Sequence, residues 1–233
     1  NEAEARRLYE IAAKAGFTPA MVALGDIYNY GRGVPQDQEQ ATAWFRRAAD
    51  RGNARAMQIM GARYELGIGV AKDPAAAKQL YEKAAAAGDA EATRLIGTMA
   101  FNGVARPQDY AEAKRRWEEA AAKGDTAAIK SLAYMYTNGK GVDKDEAKAT
   151  ELYRSAAELG DPEAMAFLGT RYQTGLGVKQ DYAEANKWFA AAAEKGNPAG
   201  LAGLGYLYAH GLGVALNYAE ALNEYSGPSQ EVY

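Results

Sequence analysis

The sequence predicts an all-α protein built from stacked helix-turn-helix repeats. Large aromatic side chains recur every 36 residues along the 233-residue chain, without one insertion or deletion, and glycines keep the same step in two further columns. The aromatic column contains Tyr9, Phe45, Tyr81, Trp117, Tyr153, Phe189 and Tyr225. The glycine columns contain Gly16, Gly52, Gly88, Gly124, Gly160 and Gly196, and Gly31, Gly67, Gly103, Gly139, Gly175 and Gly211. A strict period of this length indicates an array in which each repeat packs on its neighbours.

About six and a half repeats fit into the chain, which predicts one elongated domain over residues 1–226. We expect repeat units to start near residues 19, 55, 91, 127, 163 and 199. Residues 3–15 should form a leading helix that corresponds to the second helix of a repeat. In the last repeat, Gly227 and Pro228 should end the final helix early, because proline cannot continue a helix. Residues 227–233 are then a tail outside the repeat.

Each repeat contains two periodic segments that predict two helices. In the first repeat, Ala20 and Leu24 share one face of a segment that we name helix A, and Gly31 is a typical helix stop. A turn then leads to Asp37 and to a second segment, helix B, which carries Phe45 on its apolar face. An aspartate where helix B begins predicts an N-cap, because its carboxylate accepts hydrogen bonds from free backbone N–H groups. This column contains Asp37, Asp73, Asp109, Asp145 and Asp181.

A small residue inside helix A predicts a close contact. Glycine costs a helix about 1 kcal/mol relative to alanine, so its recurrence implies that a neighbouring group needs the space. We expect the aromatic ring of helix B to lie there. The column contains Gly25, Gly61, Gly97, Ala133, Gly169 and Gly205. In the third repeat, Ala105 replaces the second turn glycine, which predicts a different turn conformation there.

Composition excludes several classes of function. Lysine and arginine number 27 against 30 aspartates and glutamates, and the net charge of −3 disfavours nucleic acid as a partner. The sequence has no cysteine and no apolar stretch that could span a bilayer. The Gly-x-Gly turns follow a helix, whereas phosphate-binding loops follow a strand. His210 is the only histidine and has no companion at metal-ligand spacing, so we predict no metal, no cofactor and no catalytic set.

Function is expected where the repeats differ. By helical phase, positions 22, 26 and 29 and their 36-residue equivalents face away from the core. Arg94, Phe101, Lys130 and Tyr134 come from adjacent repeats and form a predicted patch of two cations and two aromatics, which suits a ligand with an acidic group and an apolar side chain. The alternative is an ordinary solvated helix face. The other predicted partner-binding residues are Gln58, Arg63, Glu65, Thr170, Arg171, Gln173 and Tyr206.

The pattern of the repeat resembles the Sel1-like repeat, a relative of the tetratricopeptide repeat. It reads clearly in Ala164, Leu168, Gly169, Tyr172, Gly175, Gly177, Val178, Asp181, Ala185, Trp188, Phe189, Ala192, Ala193 and Gly196. The resemblance implies a right-handed α/α superhelix whose concave face is lined by helix A. It also implies a bacterial, non-catalytic adaptor that binds a protein or peptide, in the periplasm or secreted, with the cytoplasm as the alternative.

Two other functions remain open at this point. Related solenoids serve in carbohydrate binding or polysaccharide assembly, and some members of the family have been linked to β-lactam hydrolysis. We also expect that two copies of the chain can associate through the open ends of the array or through the tail.

Overall fold

The structure is a computed structural model that describes residues 2–213. Contacts divide the chain into two compact units, Asn1–Lys123 and Gly124–Tyr233, which we call the first and the second unit. The helices of the first unit are α1 (Glu2–Lys14), α2 (Thr18–Tyr30), α3 (Gln38–Ala49), α4 (Ala54–Leu66), α5 (Pro74–Ala86), α6 (Ala90–Asn102) and α7 (Tyr110–Ala121). Those of the second unit are α8 (Thr126–Asn138), α9 (Glu146–Glu158), α10 (Pro162–Thr174), α11 (Tyr182–Glu194) and α12 (Pro198–His210).

Helices alternate between the two predicted types within each unit. The even-numbered helices are helix A and the odd-numbered helices are helix B, and each helix A from α2 to α10 packs most extensively on the helix B that follows it. No strand occurs in the described range, which confirms the all-α prediction. The predicted last helix B and the tail at 227–233 lie outside the described residues. The prediction of one domain over 1–226 stays a prediction.

Aspartates begin the helices as predicted. The Asp37 carboxylate accepts hydrogen bonds from the backbone N–H groups of Glu39 and Gln40 at 3.0 and 2.9 Å, and the four later aspartates of the column also cap helix B. Helix A has caps of its own, which the sequence analysis did not identify. These are Asn53, Asp89, Asp125, Asp161 and Asn197.

The small residues of helix A make room for the aromatic rings of helix B, as predicted. A Cβ atom on Gly61 would lie 2.5 Å from the Tyr81 ring, and one on Gly169 would lie 2.6 Å from the Phe189 ring. These distances are far inside van der Waals contact, so only glycine fits against rings that are themselves fully buried. From Phe45 to Phe189 the aromatic column is therefore the core of its repeats, whereas Tyr9 on α1 is 41% exposed and Tyr225 lies outside the described residues.

The turn of the third repeat shares one backbone angle with the preceding turn and differs in the place of its bends. Ala105 has a φ of +63°, which matches the left-handed φ of +64° at Gly69 in the preceding repeat. An L-residue loses about 1–2 kcal/mol in this conformation. The bends lie at residues 105–107, one residue later than the equivalent bends at 68–70, so the turn differs as expected.

Candidate functional site

The solvent-facing side of helix A, which we call the helix-A face, carries exposed aromatics in the second unit. Tyr134 on α8, Phe167 on α10 and Tyr206 on α12 are 48%, 43% and 40% exposed. Tyr134 and Tyr206 occupy the same position of their repeats, and Phe167 lies one helical turn away in the repeat between them. One large ring thus projects from each of three successive helix A segments.

A groove between α10 and α12 lies beside Phe167. It has a volume of about 430 Å³ and is lined by Glu163, Ala166, Phe167, Thr170, Asn197, Pro198 and Ala199. The Phe167 ring rests on the Tyr153 ring, with centroids 5.0 Å apart, and the Tyr206 ring stacks on His210 at 4.2 Å. Because a neighbouring ring supports each of them, the Phe167 and Tyr206 rings are held in place before any ligand arrives.

Lys130 is engaged in ion pairs on the same face. Its ammonium group lies 3.0 Å from Asp161 and 2.5 Å from Glu163, both in the next repeat. Burial lowers the Lys130 pKa, but the hydrogen bonds to these two carboxylates outweigh it and hold that pKa above its ordinary value. With two carboxylates around one ammonium group, the cluster does not offer the free positive charge that the sequence analysis expected for an acidic ligand.

Arg94 and Phe101 belong to the first unit, so the predicted four-residue patch with Lys130 and Tyr134 stays a prediction. Arg94 is paired with Glu91 at 3.4 Å. The ring of Phe101 is partly buried and packs on Tyr110 and Trp117, at centroid distances of 5.1 and 5.2 Å. Phe101 therefore extends the aromatic core of its repeat.

Three residues that the sequence analysis placed on the partner-binding surface are buried. Gln58, Arg63 and Arg171 are 6%, 4% and 5% exposed. Helical phase assigned Gln58 to the surface, and Arg63 and Arg171 were included because a charge is unusual in a column that otherwise holds Ile27, Met99, Met135 and Leu207. Packing against neighbouring helices covers all three. We therefore leave their side chains out of the contact surface proposed around Phe167.

Arg63 and Arg171 join neighbouring repeats by equivalent hydrogen bonds. Arg63 donates to Thr42 at 2.9 Å and to Asn29 at 2.6 Å, both in the preceding repeat. Arg171 makes the equivalent bonds to Thr150 at 3.0 Å and Thr137 at 2.7 Å. Each guanidinium also lies over the aromatic ring of that preceding repeat, about 5 Å away. These arginines stabilise the stacking of repeats.

The remaining predicted residues have mixed environments. Glu65 accepts a hydrogen bond from the buried Tyr81 hydroxyl at 2.9 Å, and burial together with this bond raises the Tyr81 pKa. The main-chain carbonyl of Gln173 accepts from the Gln180 side chain at 2.8 Å, which ties the turn to helix A. Thr170 is exposed and lines the groove beside Phe167.

A second, more polar pocket of about 220 Å³ lies between α2 and α4 in the first unit. Asp26 lines it and is half-buried, and no hydrogen bond or ion pair joins its carboxylate to another described residue. Burial raises the Asp26 pKa, and the positive charges of Arg32, Arg55 and Arg63 oppose that rise. The pocket thus contains a carboxylate whose ionised form the fold disfavours.

We expect Asp26→Asn to raise the melting temperature at pH 7. A carboxyl group with a raised pKa in the folded state binds its proton more tightly there than in the unfolded chain, so its contribution to stability is lost as pH rises through the folded pKa. The gain should stay within the roughly 2–4 °C that 1 kcal/mol produces in a chain of this length, and should shrink at low pH. Calorimetry at several pH values measures it. A lower melting temperature at pH 7 would show that attraction to the three arginines dominates.

No group of histidine, aspartate and glutamate side chains within residues 2–213 is arranged to hold a metal ion. Nor does any described helix have the length and apolarity required to cross a bilayer.

Comparison with known families and structures identifies the repeat. A family profile described as the Sel1 repeat matches residues 1–17, 18–53, 54–89, 90–125, 126–161, 162–197 and 198–223. The chain belongs to the Sel1-repeat family. No sequence match was found among curated proteins.

Two solved Sel1-type structures are similar over nearly the whole chain. A Sel1 repeat protein from Oxalobacter formigenes is 32% identical, with a TM-score of 0.81 over 97% of this chain and 96% of that protein. A protective antigen of uropathogenic Escherichia coli with the same fold is 35% identical, with a TM-score of 0.79 over 94% of this chain. This chain spans about half the length of that antigen, 47%.

An immunity protein from Pseudomonas aeruginosa shares the Sel1 architecture at lower similarity. It is 20% identical, with a TM-score of 0.57 over 96% of this chain and 80% of that protein. At this identity the likeness concerns the fold alone.

Sequence reasoning missed Phe167 in the Sel1 repeat. Its column otherwise holds Ala23, Ile59, Leu95, Ser131 and Gly203. A column of mostly apolar residues suggests core packing, and only the structure shows that this position opens onto the groove. The one available signal was that the ring is much larger than every other member of its column.

Proposed function

We propose that this protein is a non-catalytic scaffold that binds a segment of a partner protein on its helix-A face. The groove beside Phe167 is the main anchoring point. Sel1 repeats form a scaffold fold that typically serves protein–protein interaction. The observation that carries the finer proposal is the set of three exposed aromatic rings on α8, α10 and α12.

Exposed aromatic rings in fixed positions are the side chains that contribute most to protein interfaces. Phe167 and Tyr206 lose little conformational freedom on binding, because Tyr153 and His210 already support their rings. The groove is wide enough for one apolar side chain of a partner, which would lie against Phe167 and Pro198.

Charge at the edge of the groove defines the partner further. Glu163 lines the groove with 59% of its side chain exposed, and together with Asp161 it exceeds the single positive charge of Lys130. An acidic partner segment would be repelled here. We therefore expect an apolar residue flanked by a neutral or basic residue, in place of the acidic ligand suggested by the sequence.

Carbohydrate binding and hydrolysis are the two alternative functions, and each has a direct test. A saccharide could stack on the exposed tyrosines, so an array of glycans is the direct test of the carbohydrate-binding alternative. Turnover of a β-lactam or ester probe that one point substitution abolishes would establish a hydrolase.

A random peptide library displayed on phage supplies a ligand while the natural partner is still unidentified. We expect enriched peptides to share an apolar residue, and we expect Phe167→Ser to weaken their binding about 30-fold, the effect of losing about 2 kcal/mol at an interface hot spot. Isothermal titration of the enriched peptide measures the change. Thermal unfolding of the variant verifies that it remains folded.

Leu159→Ser is the matched control, because Leu159 is 56% exposed in the same unit and follows a helix B. It should bind the peptide as the parent protein does. Equal loss in both variants, or a library that yields no peptide while the glycan array yields a ligand, would contradict the proposal.

A further inference from the structure

We propose that the α2–α4 pocket of the first unit binds a neutral amide group, either a peptide linkage or the side chain of asparagine or glutamine. This is a second site, chemically different from the groove beside Phe167. This proposal rests on the proposed function in one respect, because the amide would come from a partner polypeptide. The preference for an amide can be tested with small molecules.

Two arginines fix the side-chain amides of the pocket. Gln58 is 6% exposed, and its Oε1 atom accepts a hydrogen bond from Arg55 at 3.1 Å. Asn29 accepts from the buried Arg63 through its Oδ1 atom at 2.6 Å. Both amide oxygens are occupied, whereas the NH₂ groups of Asn29 and Gln58 have no hydrogen-bond partner among the described residues, and both residues line the pocket.

Asp26 supplies the opposite hydrogen-bonding character. Its carboxylate lines the same pocket and, within the described part of the chain, has no hydrogen bond of its own. An ionised carboxylate can only accept hydrogen bonds. The pocket thus combines two amide donors with one acceptor, and a ligand that matches all three can replace the water that meets them.

The charges around the pocket favour a neutral ligand. Arg55 pairs with Glu91, whose carboxylate lies 2.9 Å away and also pairs with Arg94. Among the described residues Arg63 donates to uncharged acceptors, and Asp26 is the carboxylate whose charge acts on it. Charges of both signs therefore line the pocket, so a carboxylate would meet Asp26 and an ammonium group would meet Arg55 and Arg63, whereas a neutral ligand meets no like charge.

An amide matches this set of groups. Its oxygen can accept from the NH₂ groups of Asn29 and Gln58, while its N–H can donate to Asp26. A carboxylate has no donor and would lie against Asp26. An ammonium group has no acceptor and would lie against Arg55 and Arg63.

The second unit provides an internal comparison. At the positions equivalent to Asp26, Asn29 and Gln58, it has Tyr134, Thr137 and Ala166. Glu146 replaces Gln38 there and pairs directly with Arg171 at 3.1 Å. Without the two amides and with its arginine already paired to a carboxylate, the equivalent place in the second unit lacks the proposed chemistry.

The test follows the side-chain NH₂ signals of Asn29 and Gln58 by NMR in the ¹⁵N-labelled full chain, assigned from Asn29→Asp and Gln58→Glu. The probes are N-acetylalanine methylamide, N-acetylglutamine methylamide, N-acetylglutamate methylamide and glucose. We expect N-acetylglutamine methylamide to shift both signals. An equal response to the alanine probe assigns the site to peptide linkages, and a much weaker one assigns it to side-chain amides.

Removing one pocket group should weaken binding. We expect Gln58→Leu and Asp26→Ala, each of which removes one hydrogen-bonding group, to raise the dissociation constant of the amide about tenfold, whereas Gln173→Leu, on a helix A of the second unit, should leave it unchanged. Two variants keep the test informative if one fails to fold. The proposal is overturned if no amide shifts the signals, if the glutamate probe or glucose binds more tightly, or if both pocket variants bind as the parent does. Peptide binding at Phe167 can succeed or fail independently of these results.

Discussion

Replacing Arg171 by methionine is expected to lower the free energy of unfolding by about 3 kcal/mol, the cost of removing one partner from a buried charged network. The guanidinium is 5% exposed and bonds Thr137, Glu146 and Thr150. Its loss leaves those acceptors in a place that water reaches poorly. Urea unfolding followed by circular dichroism measures the change.

The chain suggests how to restore part of that stability. Position 171 pairs with Thr150, and the equivalent Arg63 pairs with Thr42. In the repeat between them that has Met99 at the position of Arg63 and Arg171, the residue equivalent to Thr42 and Thr150 is Lys78. We therefore expect Thr150→Lys to recover about 1 kcal/mol in the Arg171→Met background, as a double-mutant cycle would detect.

The control for this pair of variants is an exposed arginine. Arg115 is 59% exposed in its ion pair with Glu112, and its replacement by methionine should change stability by less than about 0.5 kcal/mol. If Arg171→Met were equally harmless, the buried arginines would not stabilise the stacking of repeats.

Replacing Gly61 by alanine is expected to destabilise the protein by about 1–2 kcal/mol, although alanine is the better helix former by about 1 kcal/mol. The new methyl group would lie 2.5 Å from the Tyr81 ring. That ring is fully buried and its hydroxyl donates to Glu65 at 2.9 Å, so it cannot move aside without loss. Thermal and urea unfolding give the sign directly.

The reverse substitution, from alanine to glycine, can be made at the equivalent position of the fourth repeat. Ala133 already occupies this position beside Tyr153, and both residues are buried. Ala133→Gly should therefore cost about 1 kcal/mol through helix propensity, with no relief of strain. A stabilising Gly61→Ala would refute the steric explanation of the glycine column.

The period of the sequence was sufficient to predict the helices and their order. It placed the first helix A near residue 19, and the structure begins α2 at Thr18. It also identified the aspartate caps and the glycine–aromatic contact, because both depend on residues within one repeat. Predictions of this kind rest on local interactions whose sequence pattern recurs in about six repeats.

The candidate site was harder to predict because exposure depends on neighbouring repeats. A helical wheel for α4 places Gln58 outward, yet residues outside that helix bury it. Lys130 looked like a free cation until the next repeat brought Asp161 and Glu163 against it. Phe167 was not singled out, because its column is mostly apolar. None of these contacts is encoded within a single 36-residue unit.

The central claim is that a partner segment binds on the helix-A face at Phe167. The most direct test is NMR of the full chain with ¹³C-labelled aromatic rings, titrated with a peptide from the library selection. The proposal predicts the largest shifts and direct contacts at Phe167 and Tyr206, with no change at Trp188 on helix B. Contacts confined to Trp188 and other helix-B residues, with Phe167 unperturbed, would contradict it.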